Sequence, residues 1–113
     1  MNLTELQKAD PATYNEIRSI FGAVIVKGEL RPKIADDIIQ GCLQRAIERR
    51  GLAWDGSLAV DEPAPYMAGI YEIGPGYDGD HWTEKHLSCI AERGGNSPAE
   101  ALLSAYLEAL HES

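Results

Sequence analysis

The segment that most constrains the fold is an amphipathic helix that begins at Pro32 and ends near Arg50. Proline is well tolerated at the first position of a helix, and Gly51 supplies a common stop signal. Between them, apolar residues recur at the spacing of one helix face: Ile34, Ala35, Ile38, Ile39, Cys42, Leu43, Ala46 and Ile47. Such a helix is stable only when this face packs on another element, and Gly41 in its middle predicts a close approach there.

A second amphipathic helix lies near the end of the chain. Residues 97–100 combine a serine cap, a proline at the first helical position and a glutamate at the capping-box position. The helix extends to about His111, and its apolar face comprises Ala99, Leu102, Leu103, Tyr106 and Leu110. We expect both helices to pack on a sheet and to contribute to the core Ile38, Cys42, Leu102 and Tyr106.

Two shorter helices are predicted at the start of the chain. Residues 3–9 follow a capping pattern with an amide and an acid three residues apart. Asp10 and Pro11 mark the start of the next helix, which Gly22 can end. Residues 23–26 fit either a short strand or a continuation of that helix.

An antiparallel hairpin is predicted before the last helix. Residues 66–73 alternate like a strand, and so do residues 82–92, in which we expect Leu87, Cys89 and Ala91 to point inward. Residues 74–80 form the long turn between them.

The segments around the hairpin are predicted to be irregular. Residues 52–65 contain a turn signal, Asp55 followed by Gly56, and Trp54 is expected to anchor this stretch to the core. The two glycines at 94 and 95 are expected to break the second strand. The sequence therefore predicts one α+β domain over residues 1–113, in which about four helices pack on a small, mainly antiparallel sheet with a long-looped hairpin.

Cysteine content and hydropathy favour a protein of the cytoplasm. Cys42 and Cys89 are too few for a disulfide scaffold, and each lies in an apolar segment that suits a buried thiol. A single bridge between them stays open as an alternative. The polar N-terminus does not resemble a signal peptide, and no apolar run is long enough for a membrane span.

Charge is divided unevenly along the chain, whose formal net charge is −8. Residues 1–50 contain eight Lys/Arg and seven Asp/Glu, a balance of +1, whereas residues 51–113 contain two Lys/Arg and eleven Asp/Glu, a balance of −9. An acidic surface repels phosphate backbones, so we expect no direct nucleic-acid binding and a partner with a basic surface. The alternative is that the acidic half serves only solubility.

The sequence lacks the motifs typical of catalytic, phosphate-binding and metal-binding sites. The glycine-rich turn has no Lys-Ser/Thr ending, and Asp78 and Asp80 lack the later ligands of a calcium loop. His81 and His86 would point to opposite faces of one strand, because their separation is odd. We therefore expect no cofactor, no metal and no enzymatic activity.

The candidate binding residues are carboxylates and aromatics around the hairpin turn, a combination typical of interface hot spots. They are Asp61, Glu62, Glu72, Tyr77, Asp78, Asp80 and Trp82. The alternative interpretation is an ordinary turn, with Trp82 packed inward.

The C-terminal third resembles a small bacteriophage domain described as an α–β–α sandwich. The resemblance rests on the strand residues 89–92, Cys-Ile-Ala-Glu, and on the proline-initiated, Ala/Leu-rich helix at residues 97–105. The N-terminal third departs from that family. The resemblance implies a phage or prophage origin, and small acidic phage proteins of that sort often block host machinery, including CRISPR effectors.

The expected function is a non-enzymatic protein that binds and inhibits a host protein in the bacterial cytoplasm. The alternatives are a structural or dimeric accessory protein without an inhibitory role, and a small hydrolase. A homodimer is compatible with each of them.

Overall fold

The computed structural model describes residues 2–26, 32–58, 65–73 and 87–112. Along the chain the elements are α1 (Thr4–Ala9), α2 (Pro11–Val26), α3 (Pro32–Arg49), β1 (Leu52–Leu58), β2 (Tyr66–Ile73), β3 (Leu87–Gly95) and α4 (Pro98–Glu112). The predicted α+β class is confirmed: within these residues, four helices accompany a three-stranded sheet of order β1-β2-β3. Both strand pairs are antiparallel.

The helix ends follow the capping signals of the sequence. At the start of α4, the Ser97 Oγ accepts a hydrogen bond from the Glu100 backbone N–H at 3.1 Å. At the start of α2, the Asp10 carboxylate accepts one from the Thr13 backbone N–H at 3.1 Å. Gly51 follows α3 with a φ of 74°, a left-handed conformation that glycine adopts without a steric penalty.

The core lies between one face of the sheet and the helices. Helix α4 packs on β2 and β3, α3 packs on β1 and α4, and α1 and α2 pack mainly on other helices. Cys42, Leu102 and Tyr106 are buried as predicted, whereas Ile38 is only half-buried at the margin of the cluster. No helix in the described parts of the chain is both long and apolar enough to cross a membrane.

The prediction that residues 52–65 are irregular is wrong for β1. Residues 52–58 form a regular strand that pairs with residues 66–72 of β2. The Asp55-Gly56 dipeptide, which suggests a turn, lies inside this strand because the Asp55 side chain bonds across to β2. The Asp55 Oδ1 accepts a hydrogen bond from the Gly69 backbone N–H at 3.1 Å.

The prediction that glycines 94 and 95 break the last strand is also wrong, since β3 includes both. Gly95 instead allows the backbone of α4 to lie close to β3. A Cβ at this position would lie 2.6 Å from the Ala101 backbone nitrogen and 3.0 Å from the Ala101 Cα, inside the contact limit. Glycine is therefore required where β3 meets the first turn of α4.

Two other glycines differ from expectation. Gly22 lies within α2, which continues through residues 23–26 and so resolves the choice between strand and helix. A Cβ at Gly41 would meet only the Arg45 side chain, at 3.5 Å, so no other element packs closely there. At both positions glycine lowers helix stability modestly, and no packing contact requires it there.

Candidate functional site

The structure describes one of the seven candidate binding residues, Glu72. It lies exposed near the end of β2, opposite Leu52 of β1 and Ser88 of β3. The other six lie outside the described residues: Asp61, Glu62, Tyr77, Asp78, Asp80 and Trp82. The three strands hold the part of the candidate site that the structure describes.

The sheet has two unlike faces, because successive strand residues point to opposite sides. The helix side carries Trp54, Ala68, Ile70 and Ala91, which pack in or against the core. The opposite face, called here the open face, carries the side chains of Asp55, Ser57, Met67, Tyr71, Cys89 and Glu92.

A hydrogen-bonded group occupies the centre of the open face. The Tyr71 hydroxyl donates to the Asp55 Oδ2 at 3.0 Å, while the Asp55 Oδ1 accepts from the Gly69 backbone N–H. A Cβ at Gly69 would lie 2.6 Å from the Tyr71 hydroxyl, so glycine makes room for the ring. Burial, then the bond to Asp55 and nearby negative charge, raise the pKa of Tyr71 to about 12.

Cys89 lies on the open face, contrary to the prediction that it points inward with Leu87 and Ala91. Ile70 pairs with Ala91 and Tyr71 pairs with Cys89, so Ile90 is an extra residue in β3. Such a bulge reverses the alternation of the residues before it. Cys89 is exposed and Cys42 is buried, and both thiols are free, which resolves the question of a bridge between them.

The charge of the sheet is strongly one-sided. The described strands carry three carboxylates, Asp55, Glu72 and Glu92, and all three are exposed. Their one basic residue, Arg93, bonds to the Glu108 carboxylate of α4 at 2.7 and 3.1 Å. Asp55 and Glu92 lie on the open face, in one row across Gly69, whereas the alternation of β2 places Glu72 on the helix side with Ile70. No basic side chain of the described strands offsets this negative charge.

Two arginines of α3 form ion pairs with α2. The Glu16 carboxylate of α2 lies 2.8 Å from the Arg45 guanidinium and 3.4 Å from that of Arg49, both on α3. Bonding to Arg45, against the effect of burial, lowers the pKa of Glu16. This pairing partly neutralises the positive charge at the end of α3.

A groove of about 370 Å³ opens on the helix side of the sheet, beside β1. It lies between the sheet, α3 and the first turn of α4, and its lining includes Gln40, Trp54, Leu58, Tyr66, Pro98 and Leu102. Trp54 is half-buried against the core, and its indole N–H donates to the Glu48 Oε1 at 3.2 Å. Leu58, at the end of β1, is 56% exposed.

Sequence reasoning missed a buried polar cluster that joins distant parts of the chain. The Tyr106 hydroxyl donates to the Asp10 Oδ2 at 2.6 Å and accepts from the Arg50 Nε at 2.8 Å. The Thr13 hydroxyl also donates to the Asp10 Oδ2, at 2.6 Å. Only the capping role of Asp10 is visible from local sequence.

The same cluster shifts the pKa values of its members. Burial opposes ionisation of Asp10, but hydrogen bonds from Thr13 and Tyr106 and the charge of Arg50 outweigh it and lower the pKa of Asp10. Burial and the bond to Asp10 raise the pKa of Tyr106 to about 12. Each polar group has a partner within the cluster, so we assign it a structural role.

No group of three or more metal-binding side chains occurs within the described parts of the chain. His81 and His86 lie outside those parts, and His111 is exposed near the end of α4.

Comparison of the chain with protein-family models, with curated proteins and with solved structures finds no match.

Proposed function

We propose that this protein is a non-enzymatic binding protein whose acidic sheet docks on a basic surface of a partner protein. The observation that carries the proposal is the charge of the strands: Asp55 and Glu92 are exposed on the open face, Glu72 is exposed at the end of β2 on the other side, and the one arginine is held by Glu108. Exposed charges of one sign steer a partner of opposite charge and raise the rate of association.

The biological setting is part of the same proposal. The resemblance of the C-terminal third to a phage α–β–α sandwich domain suggests a phage or prophage protein acting in the bacterial cytoplasm. A host defence protein such as a CRISPR effector is the proposed target, because effectors that hold nucleic acid present basic surfaces. We propose that the other six candidate residues also contact the partner, the carboxylates by charge and the aromatics by apolar contact: Asp61, Glu62, Tyr77, Asp78, Asp80 and Trp82.

A pull-down from bacterial lysate tests this function with two charge-matched variants. One carries Glu72→Lys and Glu92→Lys on the sheet, and the control carries Glu5→Lys and Asp37→Lys on α1 and α3. All four side chains are exposed and make no hydrogen bond or ion pair with another described residue. Replacing two carboxylates by two ammonium groups takes the formal net charge from −8 to −4 in both variants.

The wild-type protein and the control are expected to capture one stoichiometric partner with a basic surface, and the sheet variant is expected to lose it. Thermal melting of each variant checks that its fold is intact. Equal capture by the two variants would show that the sheet is not the docking surface. Self-association without any partner would point instead to a dimeric accessory protein.

A further inference from the structure

Strand β1 is an edge of the sheet, and its backbone is open to pairing. The strand order places β2 on one side of it, and its outward N–H and C=O groups bond to no other described residue. Sheet edges are commonly protected by proline or lysine, and β1 contains neither. Such an edge is a template for an added strand from a partner.

The groove beside this edge has the shape that an added strand requires. Gly56 lies between Trp54 and Leu58 on the helix side of β1, and it leaves a gap in that row of side chains. A Cβ at Gly56 would meet only the Met67 carbonyl oxygen, at 3.7 Å, which is ordinary contact. An apolar side chain of an incoming strand can therefore enter at this point.

Two polar side chains beside the groove, those of Trp54 and Asp55, already have partners. The Trp54 indole donates to Glu48, and the Asp55 carboxylate accepts from Gly69 and Tyr71. The β1 backbone presents a row of outward N–H and C=O groups along the edge, and the Gln40 amide also lines the groove. This favours an extended peptide over a small molecule, which would need several convergent polar side chains.

The charge of β1 and β2 indicates what kind of strand can pair with the edge of β1. Neither β1 nor β2 contains a basic residue, and Asp55 projects from the middle of β1 on the open face. Two copies of β1 paired antiparallel in full register would place one Asp55 opposite the other, and like charges opposite each other are destabilising. A basic segment of another protein is favoured over a second copy of this chain.

We infer that β1 accepts an extended, basic segment of the partner as a fourth strand, with apolar residues entering the groove at Gly56 and basic residues beside Asp55. This inference rests on the proposed function and names the partner segment by its chemistry: alternating apolar and basic residues.

A displayed random library of seven-residue peptides, matching the length of β1, provides the test. The selected peptides are measured against wild-type protein and three variants. Gly56→Val fills the gap, Leu58→Ser removes an exposed wall of the groove, and Ala53→Val is the control on the open face of the same strand, outside the groove lining. Amide hydrogen exchange of residues 52–58, with and without peptide, reports backbone pairing directly.

The inference predicts peptides in which apolar and basic residues alternate, and slower exchange of the β1 amides when they bind. It also predicts binding weakened about tenfold or more by Gly56→Val and Leu58→Ser, but not by Ala53→Val. Thermal melting excludes misfolding of Gly56→Val, and Leu58→Ser changes a side chain that is already more than half exposed.

Other outcomes separate this inference from the function on which it rests. Basic peptides that are indifferent to the groove variants, but weakened by Glu72→Lys and Glu92→Lys, would overturn the strand-addition site and leave the acidic docking surface. Selection without any preference for basic residues would overturn both. Self-association that Gly56→Val abolishes would identify a second copy as the occupant and contradict the inference.

Discussion

Asp10 shows how one residue can combine a local and a long-range role. Its capping of α2 follows from its position before Pro11, so the sequence predicts it. Its bond to Tyr106 joins residues 96 positions apart, and no local pattern reports such a contact. A tyrosine on an apolar helix face predicts burial, but it does not reveal which polar group will meet the hydroxyl.

Replacing Asp10 with Asn tests the charge of this cluster, because Asn has a similar shape and is an equally good helix cap. The lowered pKa means that the folded state stabilises the ionised carboxylate. That contribution is complete above the unfolded pKa of about 4 and is lost as the pH falls through the lower folded value. We expect Asp10→Asn to reduce the free energy of unfolding by about 1–3 kcal/mol at pH 7.

Urea denaturation from pH 7 to pH 2 measures this effect. The difference between wild type and Asp10→Asn should shrink as the solution becomes acidic, because protonation removes the charge from the wild type as well. Glu16→Gln is the control, since its ion pairs with Arg45 and Arg49 lie at the surface, where such pairs contribute about 0–1 kcal/mol. A difference that stays constant over this pH range would contradict the role given to the Asp10 charge.

The three strands show which structural features the sequence pattern predicts and which it does not. The alternation of β2 predicts its limits and its two faces, because one side meets the core and the other does not. Strand β1 was missed because an Asp-Gly pair looks the same in a turn and in a strand whose aspartate bonds to a neighbour. Cys89 was placed on the wrong face because one bulged residue, Ile90, shifts the alternation, and a bulge has no reliable local signature.

Two glycine-to-alanine substitutions in the sheet provide a matched test of the packing. Gly95→Ala introduces a Cβ 2.6 Å from the α4 backbone, so we expect a loss of about 1–3 kcal/mol or more in unfolding free energy. Gly56→Ala introduces a Cβ with no contact closer than 3.7 Å, and we expect it to be neutral or stabilising, since it restricts the unfolded chain. Thermal or urea unfolding of both variants would contradict this packing if the two showed equal losses.

At the level of the whole molecule, the fold determines which charged residues form pairs and which stay exposed. Three basic residues of the N-terminal half, Arg45, Arg49 and Arg50, pair with Glu16, Asp10 and Tyr106. Carboxylates of the C-terminal half remain exposed on the strands. Net charge alone predicts a basic partner, but it cannot show which surface is free to meet it, because that depends on which pairs the fold forms.

The most direct test is the association rate constant with the captured partner, measured over a range of salt concentrations. Surface charges act mainly on association, and salt screens them within about 8–10 Å at physiological ionic strength. The wild type and the Glu5→Lys, Asp37→Lys control should associate fastest at low salt and slow steeply as salt is added. The Glu72→Lys, Glu92→Lys variant should associate slowly at all salt concentrations. If this variant matched the wild type in both rate and salt dependence, the acidic sheet would not be the binding surface.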